Sequence, residues 1–400
     1  MLAIMAKDYG INTKLVHAGE IRDPRFGNVT TPIFENSTFL NPNKTEGAYI
    51  DNNRGKPFLY TRSGNPTIQS LEEKYAAAEG TDSAMAFSSG MAAISTAVLS
   101  HVKGGGKILS ISDLYGQTHQ FFSRVIREFG IAVDFIPLEA MNSLDFEDSG
   151  YSMVYAESIT NPLLGVLDVK KVGSYCREIG VPLVIDATFA TPVNQNAGSY
   201  GASIVLHSGT KYIGGHSDIL LGLAGFSSEI REKMAAFRKS LGGVPDPFQA
   251  YLALRGLKTL SLRVHQQNRN ALEIARYLED SRYVERVYYP GLESFEYHKV
   301  ALENLRGFGG MVSFEIKGDH LSASRFTSRL KLVTSAPSLG GVESLATIPA
   351  DTSHSALSRE ERFSIGIRDN LIRLSVGIEE SDDLIRDIEQ ALEGSHSSAG

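Results

Sequence analysis

The sequence predicts an α/β protein: a mostly parallel sheet flanked by helices, preceded by an N-terminal arm and followed by a smaller C-terminal α+β domain. Three observations predict it. Short, β-rich apolar runs alternate with amphipathic helical segments between residues 61 and 258, the pattern of a sheet covered on both faces. Beyond residue 258 that alternation gives way to separate strand-like and helical stretches. Four hundred residues, 42% of them hydrophobic, also exceed what one core normally serves.

Taken in order, residues 1–60 read as the arm, with prolines at 24, 32, 42 and 57, many Asn and Thr, and little periodicity. The apolar runs at 84–87, 107–111, 152–156, 182–185, 203–206 and 221–226 are the expected strands of the large domain, 61–258. In the small domain, 259–400, the helical stretch 250–280 leads into hairpin-like strands at 284–289 and 310–316, with helices at 320–330 and 380–393. The tail 394–400 is Ser- and Gly-rich and is expected to be disordered.

Charged residues make up 21% of the chain and the net charge is -7, which argues against a nucleic-acid or anionic-membrane footprint. The expected partners are small molecules and other copies of the chain. The single cysteine, Cys176, excludes an internal disulfide and a Cys-rich zinc site and suits a reducing compartment. The apolar stretch 2–6 is too short for a signal sequence and no run is long enough to span a bilayer, so the expected location is cytoplasmic.

In open parallel sheets ligands sit beyond the carboxyl ends of the strands. Ser88, Ser89, Gly90 and Met91 follow the first strand and open a helix, a place where free backbone N–H groups can hold a phosphate, although Ser there also reads as a plain helix cap. Asp186 closes a very apolar strand. A buried carboxylate there is costly unless it faces a cation or several donors, and a protonated pyridine nitrogen is one such partner; a helix cap is the equally weighted alternative. Lys211 lies in Ser208-Gly209-Thr210-Lys211-Tyr212, again after a strand. It can form an imine with a cofactor aldehyde and then carry protons, provided its pKa is lowered. One strand-helix-strand step separates Asp186 from Lys211, so both project into one crevice.

These residues, with others in order along nearly the whole chain, resemble the Cys/Met metabolism family of pyridoxal-phosphate enzymes, of fold type I. The resemblance implies a role for each matching residue. Tyr60-Thr61-Arg62-Ser63-Gly64-Asn65-Pro66-Thr67 is similar to the arm motif whose Tyr and Arg reach a neighbouring subunit's cofactor phosphate, which implies a homo-oligomer, at least a dimer and by family habit a dimer of dimers. Ser89, Gly90 and Met91 match the phosphate turn, with Ser208 and Thr210 as further phosphate ligands. Tyr115 matches the tyrosine that stacks on the pyridine ring and assists the leaving group. Glu157 and Asn161 match a segment whose Asn lies near the cofactor's 3′ oxygen, Asp186 the partner of the ring nitrogen, and Lys211 the Schiff-base lysine. Ser338 and Arg373 match the segments that hold the substrate carboxylate, a task suited to the planar fork of Arg.

The implied chemistry is γ-elimination or γ-replacement on an amino-acid substrate, with Lys211, Tyr115, Asp186 and Tyr60 as catalytic residues and no metal. Cystathionine enzymes commonly carry charged residues where this chain has Leu59, Gln120 and Pro337. An uncharged pocket favours an apolar tail, and so methionine. Gly116, where methionine γ-lyases carry Cys, and Arg238-Lys239, where they carry a Lys-Asp pair, keep cystathionine γ-lyase, cystathionine γ-synthase and O-acylhomoserine sulfhydrylase open as alternatives.

Other classes fit less well. No Gly-x-Gly-x-x-Gly follows the early strands, the Gly104-Gly105-Gly106-Lys107 stretch lacks the hydroxyl of a phosphate loop, and the ten histidines are scattered without ligand spacing.

Overall fold

A computed structural model describes residues 9–41, 50–51, 55–146, 150–355 and 357–396. Pro42, the stretch 2–6 and the last four residues of the tail lie outside them. Among the described residues the arm holds helix α1 (Ile11–His17), whose Leu15 is buried, and a two-residue antiparallel pairing of Ile50–Asp51 with Lys56–Pro57. It is held to the body by Glu20, which meets Lys74 at 3.3 Å and Lys258 at 2.8 Å.

Seven strands form the large sheet: β1 (Ser83–Phe87), β2 (Lys107–Ile111), β3 (Ala132–Ile136), β4 (Met153–Glu157), β5 (Leu183–Asp186), β6 (Ile204–Ser208) and β7 (Gly222–Phe226). Their order is β1-β7-β6-β5-β4-β2-β3, with only β7 antiparallel to its neighbours. Both faces are covered, as the near-continuous apolar strands require. Along β1, Ala84 and Ala86 enter one core with helix α2 (Pro66–Glu79), while Met85 and Phe87 enter the other with helix α3 (Gly90–His101). Helices α4 (Val169–Glu178) and α5 (Arg231–Leu241) cover the same second face.

Strand β3 is the one large-sheet strand that the apolar runs do not reveal. It is an edge strand interrupted by Asp134, whose carboxylate meets Lys107 at 2.5 Å and accepts from Tyr151 Oη at 2.8 Å. The expected helical stretch 250–280 is two helices, α6 (Pro247–Leu257) and α7 (Leu260–Glu279). Asp186 and Lys211 stand at the carboxyl ends of β5 and β6, as the crossover geometry demands.

The smaller sheet holds β8 (Val284–Tyr288), β9 (Met311–Ile316), β10 (Thr334–Ser335), β11 (Leu345–Thr347) and β12 (Leu371–Ser375), in the order β8-β9-β12-β11-β10. Strands β8 and β9 pair antiparallel, but the short helix His298–Asn304 lies in their connection, so they are not a tight hairpin. Helices α8 (His320–Arg329) and α9 (Ser381–His396) pack on this sheet. Residues 394–396, expected to be disordered, are the end of α9, where His396 Nε2 lies 2.9 Å from the Lys317 carbonyl. Among the described residues no helix is long and apolar enough to cross a membrane.

Candidate active site

A cavity of about 550 Å³ opens at the carboxyl ends of β1, β4, β5 and β6, closed on the far side by the segment at Pro337, Ser338 and Leu339 and by β12. At its first wall β1 runs straight into α3. Ser89 Oγ accepts from the Ala92 N–H at 3.1 Å, so the residue is the helix cap, and the N-terminal turn at Gly90 and Met91 still lines the cavity. Backbone approach is tight here. A Cβ at Gly90 would stand 3.1 Å from Ser208 Cβ, and one at Gly222 only 2.0 Å from the Ser89 carbonyl. The missing side chains let the N-terminus of α3 lie directly against Ser208, an arrangement suited to phosphate.

Asp186 ends β5 beside Glu157 in the sheet register. Its Oδ1 accepts from the Thr188 N–H at 3.0 Å and the Thr188 hydroxyl at 2.5 Å. Burial raises the carboxyl's pKa, opposed by these two bonds. Both readings of Asp186 are thus visible: it caps the following turn and still lines the cavity. Glu157 accepts the Tyr115 backbone N–H at 2.6 Å. Burial, reinforced by the Asp186 charge, holds its carboxyl well above the usual range. Glu157 thereby fixes the turn that carries Tyr115.

Lys211 Nζ donates to Ser338 Oγ at 2.8 Å. Burial, then the nearby Arg373 charge, pushes its pKa down to about 8. Ser338 holds a left-handed backbone, φ +91°, an unusual conformation for a residue with a side chain. Thr210 lines the cavity, but its hydroxyl is engaged with the main chain of Leu221, accepting the N–H at 2.9 Å and meeting the carbonyl at 3.3 Å.

Arg373, in the middle of the small sheet, is 4% exposed. Nη1 donates to Asn161 Oδ1 at 3.0 Å and Nη2 to the Ser338 carbonyl at 3.2 Å, while Nε has no partner among the described residues. Burial pushes its pKa down to about 10. A guanidinium on a cavity wall that has, among the described residues, an unsatisfied donor and no carboxylate partner suits an anionic ligand.

The chain does not bring Leu59, Tyr60, Arg62 or Gln120 into its own cavity. Leu59 and Tyr60 are 48% and 45% exposed. The Arg62 guanidinium lies 5.5 Å from the centre of the Tyr60 ring and donates to the Lys239 carbonyl at 3.4 Å. Gln120 lies within a continuous helical stretch, Gly116–Gln120 running on into Phe121–Val125, and does not line the cavity. Conversely, Thr188, Thr352 and Ser353 line the cavity although no sequence motif marks them as site residues. Thr188 is legible only as a neighbour of Asp186. Thr352 and Ser353 arrive through tertiary packing, since the Ser353 carbonyl would lie 2.1 Å from a Cβ at Gly116.

An amine of lowered pKa, a buried carboxylate and a helix N-terminus cradle on one crevice fit the aldehyde, ring nitrogen and phosphate of pyridoxal phosphate. Fold and site together define a pyridoxal-phosphate enzyme of fold type I. The family model described as Cys/Met metabolism PLP-dependent enzyme matches residues 12–393, and the chain belongs to that family. It is 43% identical to a cystathionine gamma-lyase of Dictyostelium discoideum over 96% of this chain and 98% of the relative. It is 42% identical to a cystathionine beta-lyase of Lactococcus lactis over 96% and 99% of the two chains. Among solved structures, cystathionine gamma-lyase from Lactobacillus plantarum complexed with L-serine superposes with a TM-score of 0.90 at 34% identity, covering 96% of this chain and 99% of that one.

Proposed function

We propose that the protein catalyses γ-elimination on a sulfur amino acid, converting L-methionine and water to 2-oxobutanoate, methanethiol and ammonia. The observation that carries the substrate assignment is the inventory of charge in the cavity. Its charged side chains among the described residues are Glu157, Asp186, Lys211 and Arg373. Each has a task in handling the cofactor or the substrate's α-carboxylate. None is left for a second ammonium or carboxylate at the substrate's far end. Pro337 stands beside Ser338 in the wall, with Ile94, Leu220 and Leu339 contributing apolar surface, so an apolar methylthio tail is favoured. Leu59 of a neighbour's arm extends the same uncharged character.

Pyridoxal phosphate, when bound, supplies the electron sink that acidifies the substrate's Cα–H. Lys211 takes that proton and carries it onward, Ser338 accepting the amine's hydrogen bond meanwhile. Arg373 holds the α-carboxylate with its fork. Asp186, oriented by Thr188, would keep the ring nitrogen protonated, and Glu157 and Asn161 would help to hold the ring. The Ser89–Met91 turn with Ser208 and Thr210 receives the phosphate. Tyr115 serves as acid or base at the departing sulfur. Tyr60 and Arg62 complete the phosphate site of a neighbouring subunit in a dimer of dimers, and the enzyme works in the cytoplasm, a setting that suits its one buried thiol.

The relatives favour a second reading, since they are named cystathionine gamma-lyase, beta-lyase and gamma-synthase. In that reading the chain is a cystathionine γ-lyase or γ-synthase, or uses an O-acylhomoserine in γ-replacement. Offering methionine, cystathionine and O-acetylhomoserine separately, with and without added thiol, and measuring 2-oxobutanoate decides between them. Methionine is expected to be the best elimination substrate; a strong preference for cystathionine overturns the assignment.

A further inference from the structure

The contact between Lys211 and Ser338 joins two distant stretches of chain, and one face of helix α7 grips both. The turn that carries Lys211 is a single helical turn: Lys211 N–H donates to the Ser208 carbonyl at 3.1 Å, Gly214 N–H to Gly209 at 2.9 Å and Gly215 N–H to Lys211 at 2.8 Å. The next carbonyls, those of Tyr212 and Ile213, have no following turn to donate to them. Arg263 does so instead. Its Nη1 donates to the Tyr212 carbonyl at 2.7 Å, and its Nη2 lies 3.4 Å from that of Ile213 and 2.8 Å from that of Gly256. Its Nε donates to Thr259 Oγ1 at 3.2 Å. These described partners include no carboxylate, so this buried cation is spent on main-chain carbonyls and one hydroxyl. Space is reserved for it: Gly215 has φ +72°, and a Cβ there would lie 2.0 Å from Arg263 Nη1.

One helical turn further on, Gln267 projects from the same face. It is fully buried, and its Nε2 donates to the Gly341 carbonyl at 2.7 Å, in the segment that begins with Ser338. The two segments also touch directly, since a Cβ at Gly340 would lie 2.7 Å from the Tyr212 nitrogen.

We propose that Arg263 and Gln267 are positioning residues: from adjacent turns of α7 they set the separation of the Lys211 turn and the Ser338 segment, and with it the alignment of the Lys211 amine. The inference rests on the reading of Lys211 as the cofactor lysine. Neither residue lines the cavity, so both act through the backbone they hold. A misplaced reacting group costs rate far more than it costs affinity.

The test uses the cofactor-loaded enzyme with Arg263→Lys, Gln267→Leu, the double variant and Asn270→Ala. Asn270 is a control on α7; its amide holds the Gly377 and Glu379 carbonyls, beyond both segments. Each single variant is expected to displace the pH midpoint of the cofactor's visible band and to lower kcat on the order of tenfold, with KM changed by no more than about twofold. The double variant should lose little more than the worse single, because both act through one contact. Asn270→Ala should leave the midpoint in place. Unmoved midpoints in the singles, or losses that multiply in the double, overturn the proposal. If Arg263→Lys does not fold, Gln267→Leu alone tests the proposal by its midpoint and kcat. Borohydride reduction of the wild-type protein keeps the two readings apart: an unmodified Lys211 peptide removes the cofactor lysine, whereas a modified one with unaffected variants removes only the positioning role.

Discussion

Lys211 is nucleophilic toward an aldehyde only as the neutral amine, and burial brings that form within reach at about pH 8. The rate at which cofactor-free protein captures pyridoxal phosphate should therefore rise with pH up to about 8 and then level off. An ordinary lysine would keep gaining rate to about 10.4. Reconstitution followed by visible absorbance across that range checks it, and a rate still climbing steeply at pH 10 would remove the perturbed amine. The residues legible in the sequence at this scale are those with a fixed offset from a strand end: Ser89 to Met91, Asp186, Lys211. Arg373 is legible only through the resemblance. Thr352 and Ser353 are not legible, because nothing local marks residues that reach the cavity only through the packing of the small domain on Gly116. Gln120 is expected in the pocket from its offset to Tyr115 alone, and in the fold it sits inside a continuous helical stretch and does not line the cavity.

Elements here are tied by buried ions as well as apolar faces. Glu72 of α2 meets Arg238 of α5 at 2.6 Å and Arg231 at 3.0 Å, and also accepts the Ala86 N–H of β1 at 3.0 Å. Burial alone would raise the Glu72 pKa, but the charges of Arg238 and Arg231 outweigh it and the carboxyl is held below its usual value. A depressed carboxyl contributes stability above its unfolded pKa and loses it as pH falls through the folded one. The contribution is thus present at neutral pH and fades in acid. Arg238→Ala, leaving a buried carboxylate short of one partner, should cost about 3 kcal/mol in denaturant unfolding near neutrality, and less as the pH is lowered below the carboxylate range. A variant as stable as the parent would show that Arg231 and the Ala86 N–H suffice. In the sequence Arg238 bears only on the comparison of substrate pockets; in the fold it is a strut. Strand runs with unbroken apolar character are legible, whereas β3 is hidden by Asp134. The break between α6 and α7 is hidden by helical composition on both sides, although a Cβ at Gly256 would lie 2.5 Å from the Ile213 and Gly214 carbonyls.

At the scale of the molecule, the arm leaves Tyr60 and Arg62 outside the cavity of their own chain. If they complete a neighbour's site, Arg62→Ala and Lys211→Ala chains should each be inactive as pure oligomers and regain activity when co-expressed. A mixed dimer contains one site with an intact lysine from one chain and an intact arginine from the other. No recovery, with mixed dimers verified by mass, would place the whole site in one chain.

The order β8-β9-β12-β11-β10 carries a consequence for synthesis. Of the small sheet's five strands, β12 leaves the ribosome last, yet it belongs in the middle of that sheet and carries Arg373. Until it emerges, β9 and β11 lack the partner that separates them, and their unpaired edges are open to other chains. The emergence of β12 thus determines both the closure of the small sheet and the arrival of the cavity's guanidinium. Chains halted before residue 371 are expected to sediment as aggregates, with the large sheet already formed and the small one unmade; a soluble monomeric fragment of that length would show that the small sheet tolerates an empty centre.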